Sequence, residues 1–296
     1  MTVVRRERRR SRRWRPGRSL LVGIGLCLVG GCSAGTGGGD DAGGDPVAVL
    51  RGAADRLVAA GSSRARTAME MASGGTRVTI RGEGVYDFRE RRGRLTVRLP
   101  QDPAGGSGHR PITELLTPGA LFMKNRGAGV PEDKWVRVDI GSLADGNLVT
   151  GGATDPYAAA EVLRGTRTAR YVGRARVAGT EVRHYRGTAD LAGAARRALG
   201  GNREALAAAA KGFATAEVPF EVYLDERGRV RKLRHRFSFA GQQRQGTVEV
   251  VSTTLLYDFG AAAGVELPGG GDIYDGRIAE EPGGGGAPDG RKEPQD

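Results

Sequence analysis

In Thr76-Arg77-Val78-Thr79-Ile80-Arg81-Gly82-Glu83-Gly84-Val85-Tyr86-Asp87-Phe88, Val78, Ile80, Gly82, Gly84, Tyr86 and Phe88 fall on one face of an extended chain. Arg77, Thr79, Arg81, Glu83 and Asp87 fall on the other. Alternation with period two, sustained this long, predicts a half-buried β-strand of unusual length. The polar run Arg89-Glu90-Arg91-Arg92-Gly93 turns the chain back, and Leu95, Val97 and Leu99 then alternate with Arg94, Thr96 and Arg98. The pair is a hairpin by pattern. Gly82 and Gly84 around Glu83 have the composition of a phosphate loop, but inside an alternating strand they mark a bend, a bulge or a close approach.

The same style recurs outward along the chain. A Gly/Pro-rich loop, Gln101 to Pro111, leads to strands at Ala120 to Asn125 and Lys134 to Ile140. Ala169 to Ala178 and Thr180 to Thr188 meet at Gly179; Val218 to Leu224 joins Val230 to Phe239 through Asp225-Glu226-Arg227-Gly228; a last strand spans Gly246 to Asp258. Helical spacing appears in three places. Val47, Leu50, Ala54, Leu57 and Val58 follow Pro46 and stop at Gly61; Asp155-Pro156 opens a helix through Leu163; and an alanine-rich stretch covers Leu191 to Leu199 and Asn202 to Phe213. Strands in sequence joined by short turns favour antiparallel pairing. The expectation is an α+β fold: roughly nine or ten strands in a single large curved antiparallel sheet, a half-barrel, with helices packed on the concave face. A division into two small domains near Thr150 is the competing arrangement. One domain is preferred, because neither half alone has helices enough to cover its sheet.

The ends read differently. Residues 1–18 hold nine arginines against Glu7, and the apolar run from Ser19 to Gly31 is too short for the ~20 residues of a spanning helix. With Leu28-Val29-Gly30-Gly31-Cys32 closing the run, residues 1–31 resemble a bacterial lipoprotein signal peptide whose lipobox is cut before Cys32, the lipidation site. The expected product is extracytoplasmic, anchored to the outer face of the cell membrane through a lipid on Cys32. Arg12-Arg13 after Ser11 also resembles a twin-arginine signal, so both export routes stay open. Residues 32–45 are Gly- and Asp-rich and read as a flexible leash, with a reach of roughly 20 Å. The folded domain is expected over 46–268, and residues 269–296 read as a disordered Gly-rich tail.

Charge and chemistry then exclude several function classes. The signal carries +8 of the formal +12, leaving +4 on residues 32–296, so the basic pI gives no support to nucleic-acid binding. Cys32 would be the one cysteine kept after cleavage, which rules out an internal disulfide. His109, His184 and His235 are too far apart for a local ligand motif, and Glu221, Asp225 and Glu249 read as solvated strand charges. No catalytic residue, metal site or cofactor is expected.

Several stretches resemble the LppX/LprAFG-type lipoproteins of actinobacteria, and more distantly the LolA/LolB-like carriers. They are Ala120-Leu121-Phe122-Met123-Lys124 followed by Trp135; Asp155-Pro156 before Val162-Leu163; Gly179 before His184-Tyr185-Arg186-Gly187-Thr188; Val218-Pro219-Phe220-Glu221-Val222-Tyr223-Leu224-Asp225 running to Gly228-Arg229-Val230; and Tyr257-Asp258-Phe259-Gly260 before Val265-Glu266-Leu267-Pro268. The resemblance implies a half-barrel whose concave side, partly closed by helices, encloses an apolar cavity for acylated lipids or glycolipids. Val78, Ile80, Tyr86, Phe88, Leu95 and Val97 would line it. The low side-chain volume of the alanine-rich helices suits such a space, although alanine is also simply the best helix former.

Two readings of function follow from different classes. One is a passive carrier that holds a lipid or amphiphile without making or breaking a bond. The other is an envelope interaction or sensory module that binds a protein partner, unidentified, without lipid. An enzyme is not expected.

Overall fold

The computed structural model describes residues 44–73, 76–100, 110–127, 129–149, 154–240 and 247–276. The signal segment, most of the leash, Cys32, His109 and the distal tail lie outside the described residues.

Asp45 caps a short helix, α1 (Pro46–Arg51), by accepting from the Val47 N–H, and Gly52 separates it from α2 (Ala53–Ala60). The expected single helix is therefore two. Beyond Gly61 come β1 (Ser62–Ser73), β2 (Thr76–Asp87), β3 (Arg92–Arg98), β4 (Ile112–Thr117), β5 (Ala120–Lys124) and β6 (Trp135–Asp139). A 3₁₀ turn at Ile140–Ser142 leads to α3 (Pro156–Val162), and then come β7 (Thr166–Val177), β8 (Thr180–Asp190), α4 (Leu191–Arg197), α5 (Asn202–Gly212), β9 (Glu217–Leu224), β10 (Val230–Ala240) and β11 (Thr247–Tyr257).

All eleven strands form one antiparallel sheet in the order β6-β5-β4-β3-β2-β1-β11-β10-β9-β8-β7. Two meanders, β1–β6 and β7–β11, are sewn together by the non-local pair β1·β11, in which Ala65 faces Leu256 and Met69 faces Ser252. The sheet is open, with β6 and β7 at its edges, and this is the expected half-barrel class.

Two strands exceed the count expected from the sequence. β1, between the helix end at Gly61 and Thr76, and β4, between Pro111 and Ala120, were assigned to no element from the sequence. In β1 the inward positions are Ser63, Ala65, Thr67, Met69 and Met71, too small or too polar to stand out. Ala, Met, Arg and Glu are moreover good helix formers, so only burial reveals the alternation: Ser63, Ala65, Thr67 and Met69 are buried, and Arg64 and Arg66 are exposed. In β4, buried Ile112, Glu114 and Leu116 alternate with Thr113 and Leu115, and a carboxylate on the inward side masks the pattern.

Curvature has a visible cause. A Cβ on Gly84 would collide with the Arg94 carbonyl oxygen of the neighbouring strand, and one on Gly187 with that of Thr168. At both positions adjacent backbones turn into the space where a side chain would stand, which only glycine permits. Of the bend, bulge or close approach expected at Gly84, the structure shows the close approach.

The two edges differ: β6 is covered, whereas β7 is charged and covered only at its first residue. Ile273 bridges to Trp135 and the Tyr274 N–H donates to the Trp135 carbonyl at 2.8 Å, while Trp135, Val265 and Ile273 pack on Leu115, Ala120 and Phe122. Residues 269–276, assigned from the sequence to the tail, therefore lie against β6. The β7 edge carries exposed Arg167, Arg170, Arg174 and Arg176, and Arg51 of α1 donates to the Thr166 carbonyl at 2.7 Å.

Candidate functional site

Register fixes what the helices cover. Tyr86 of β2, Phe88 just past its end, and Leu95 and Val97 of β3 point to the helix side at 0–1% exposure, and the Tyr86 and Phe88 rings sit 5.2 Å apart beneath Tyr157 of α3. Ile80, at 9%, and partly buried Val78 lie towards the opposite end of β2, where Met71, Leu99, Phe239 and Val248 are also only partly covered. The six side chains read as cavity lining thus share one face but divide into a packed end and an apolar, less covered end.

The buried face of the helical cover mixes large side chains, Tyr157, Val162, Leu191 and Leu206, with many small ones. Ala158, Ala159 and Ala160 of α3, Ala194 and Ala195 of α4, and Ala205 and Ala209 of α5 are all at most 6% exposed. Asp155 holds α3 in place: its carboxylate accepts from the Tyr157 and Ala158 N–H groups at 2.7 and 3.0 Å and from the Tyr86 hydroxyl at 3.1 Å. Burial pushes the Asp155 carboxyl up to about 6, held back by those hydrogen bonds. Behind it, Arg164 joins Glu161 (2.7 Å) and Asp55 (2.6 Å), tying α2 to α3.

Between cover and sheet lies a set of polar groups that the sequence did not single out, His235 excepted. Thr154 bridges to Ser252 of β11 at 2.6 Å. Elsewhere in the buried layer, from β4 across to β10, Ser63 Oγ, Thr67 Oγ1, both amide atoms of Asn147, both carboxylate oxygens of Glu114 and His235 Nε2 have no hydrogen-bond partner. His235 faces Ser252 across the β10·β11 pair, and Thr67 faces Thr254 across β1·β11. Burial drives the Glu114 carboxyl up to about 8, with Arg126 pulling the other way, and drives the His235 imidazole down to about 3. Both are neutral at pH 7. The signal for Glu114 was available only once β4 is recognised, since a lone inward carboxylate between Ile112 and Leu116 is then conspicuous.

The structure does not gather a reacting centre from the sequence candidates. His184 and His235 lie on opposite faces of the sheet. His184 stacks on Tyr223 at 4.2 Å with its Nε2 3.5 Å from Glu221, and burial lowers its pKa. That pair lies outside both clefts described below. Asp225 accepts from Arg229 Nε at 2.8 Å and from turn N–H groups, and Glu249 is exposed, so Glu221, Asp225 and Glu249 do not pair with one another. Among the described residues no three His, Cys, Asp or Glu side chains could share a metal ion, and no helix is long and apolar enough to cross a membrane.

Two clefts on the surface of the described residues are lined by strand and turn residues alone. One of about 310 Å³ sits at the turn between β9 and β10, beside Thr180, Asp225 and Arg229. The other, about 730 Å³, lies on the helix-free face across β1, β2, β3 and β11.

No protein-family model and no curated protein sequence matches the chain. Among solved structures it is similar to the lipoprotein LppX of Mycobacterium tuberculosis, at 9% identity and a TM-score of 0.41, over 75% of this chain and 100% of that one. LprF of Mycobacterium bovis aligns at 14% identity and 0.37, covering 76% and 97%. A LolA superfamily protein of Nitrosomonas europaea aligns at 11% and 0.33, covering 72% and 94%.

Proposed function

We propose that this chain is an extracytoplasmic lipoprotein, tethered through Cys32, that binds an amphiphile between its helical cover and its sheet without bond chemistry. The observation that carries the reading is the set of unpartnered polar groups under the cover. Native cores pair almost all of their buried polar atoms, and each orphan costs ~1–3 kcal/mol. Ser63, Thr67, Asn147, Glu114 and His235 form such a set on one face. A ligand with hydroxyl, ester or amide groups would satisfy them.

Entry is by displacement of the cover. Alanine contacts bury little area per residue, so lifting α3 to α5 forfeits less apolar contact than lifting a leucine-rich layer would. A guest that buries ten methylenes recovers ~8 kcal/mol. The partly covered apolar strip at Val78, Met71 and Phe239 gives an acyl chain its first foothold. The test is mass spectrometry of organic extracts from the purified chain after native isolation. A stoichiometric lipid, lost in Thr67→Leu or His235→Phe variants that still fold, supports the reading; lipid-free protein with unchanged melting in the presence of lysolipid or fatty acid overturns it. Radiolabelled acyl incorporation, abolished by Cys32→Ala, tests the tether.

A second reading rests on β7, whose twelve residues hydrogen-bond to a strand on one side only. A partner could add a strand there. Crosslinking from β7 to a protein, with no lipid extracted, would favour it.

A further inference from the structure

We infer that the helix-free face carries a binding site for a phosphate-type oxyanion, clamped between Arg81 and Arg98. The two arginines are direct cross-strand partners on β2 and β3, and both are exposed on the wall of the 730 Å³ cleft. Like charges directly opposite each other weaken a sheet. Among the described residues no ion pair compensates these two. The only carboxylate in the cleft wall is Glu83, and it is already taken: Arg66 donates to its Oε1 through Nε and Nη2 at 3.1 and 3.0 Å, and the Tyr257 hydroxyl donates to the same oxygen at 3.1 Å. Glu70 shares this face, opposite Thr79, and makes no ion pair with either arginine. Among the described residues neither Arg81 nor Arg98 forms an ion pair or side-chain hydrogen bond with a carboxylate, and Arg98 feels Glu83 only through a Coulombic pull that is the least of the influences lowering the Glu83 pKa.

The floor between them is shaped for a guest. One row across the sheet reads Thr253, Ala68, Arg81, Arg98. Ala68 is the small member, and it leaves a depression flanked by the Thr253 side chain and the two guanidiniums. Thr79 adds a second hydroxyl, and Leu255, Leu99 and Pro100 supply apolar walls. Guanidinium pairs with fixed forks match the tetrahedral oxygens of a phosphate group, and hydroxyls donate to the remaining ones. The volume exceeds that of phosphate alone, so an ester's organic part has room beside Leu255. Whether the group comes from a soluble phosphate ester or a phospholipid headgroup, the recognising chemistry is the same. The site is on the opposite face from the proposed lipid-binding side and stands or falls separately.

The test uses residues 32–296, which retain every described element, with Cys32→Ser. One arm follows melting against inorganic phosphate and glycerol phosphate, with chloride at matched ionic strength as the reference. The other follows sedimentation with vesicles of phosphatidylglycerol in phosphatidylcholine against phosphatidylcholine alone. Arg81→Gln and Arg98→Gln are compared with Arg94→Gln, which removes the same charge from the same face outside the cleft. The expected result is phosphate-dependent stabilisation, or binding confined to anionic vesicles, weakened about tenfold by each cleft variant and unchanged by Arg94→Gln. Stabilisation by soluble phosphate assigns the site to small esters; response to vesicles alone assigns it to a headgroup. In ligand-free low-salt buffer each cleft variant should also melt higher, by about 2 °C, because a repulsion is gone. No response in either arm, or equal loss in Arg94→Gln, overturns the site.

Discussion

Replacing Glu114 by Gln removes a charge but keeps the shape, and the consequence depends on pH in a way no other substitution here matches. The Glu114 carboxyl rises from 4.5 to about 8 through burial. Between those values the native protein keeps a proton that the unfolded chain releases, so the stabilising contribution is complete below pH 4.5 and is lost as pH rises through about 8. The slope is roughly 1.4 kcal/mol per pH unit. Glu114→Gln has no proton to lose there. Its advantage over the wild type should be about 1 kcal/mol at pH 5, about 3 at pH 7 and about 5 at pH 9, on top of a constant offset from placing an amide in the same site. Urea unfolding followed by circular dichroism at those three pH values reads the difference directly. A difference that stays within about 0.5 kcal/mol across the range would mean that the native carboxylate is already ionised and hydrated. In that case the inward side of β4 is not dry, and the argument from unpartnered groups under the cover loses its strongest member.

His235 should show the opposite sign. Its imidazole falls from 6.5 to about 3 on burial, so its contribution is complete above pH 6.5 and is lost as pH falls towards 3, at roughly 1.4 kcal/mol per pH unit; His235→Phe should move the acid-unfolding midpoint to lower pH. Glu161→Ala should cost about 3–5 kcal/mol, measured by urea unfolding, because Glu161 is 0% exposed and its loss leaves Arg164 with Asp55 alone. Gly84→Ala should cost about 3 kcal/mol, the price of driving a methyl into the Arg94 backbone. Gly264→Ala, with open space around it, should stay within about 0.5 kcal/mol in the same assay.

What the sequence made legible was whatever alternates strongly. β2, with Val78, Ile80, Tyr86 and Phe88 against charged neighbours, is placed to within a residue, and β8 to β11 follow for the same reason. The N-terminal cap at Asp155 was legible because an acceptor followed by proline has few other uses. Strand order was not legible. Pairing β1 with β11 joins residues almost two hundred positions apart in the chain, and no local pattern encodes that choice. The Arg81 and Arg98 cleft escaped for a related reason, since two arginines on an outward face look like ordinary solvated charge until the register sets them opposite each other and shows the one carboxylate nearby to be spent.

The inward groups escaped for a reason that bears on function. β1 was invisible because Ser63, Ala65 and Thr67 occupy positions where a dedicated core strand would place Val, Ile or Leu, and β4 because Glu114 stands where an aliphatic side chain would complete the stripe. Those substitutions weaken the local signal for a strand and, in the folded sheet, leave Ser63, Thr67 and Glu114 with polar atoms unpaired beneath the helices. One cause produces both effects. Local and tertiary preferences normally agree, and they part where a fold gives up stability for something else. Here they part on a contiguous side of the sheet, at the central β1 and at β4, under a cover rich in alanine that is cheap to lift. A sheet selected for stability alone would fill those positions with Val or Ile; a sheet that admits an amphiphile needs both the looseness and the polar contacts. The Thr67→Val and Glu114→Leu double variant separates these possibilities, because it should raise stability at pH 7 by several kcal/mol (~3 or more) while weakening the uptake of lysolipid. Higher stability with unimpaired uptake would detach the buried polar groups from ligand binding.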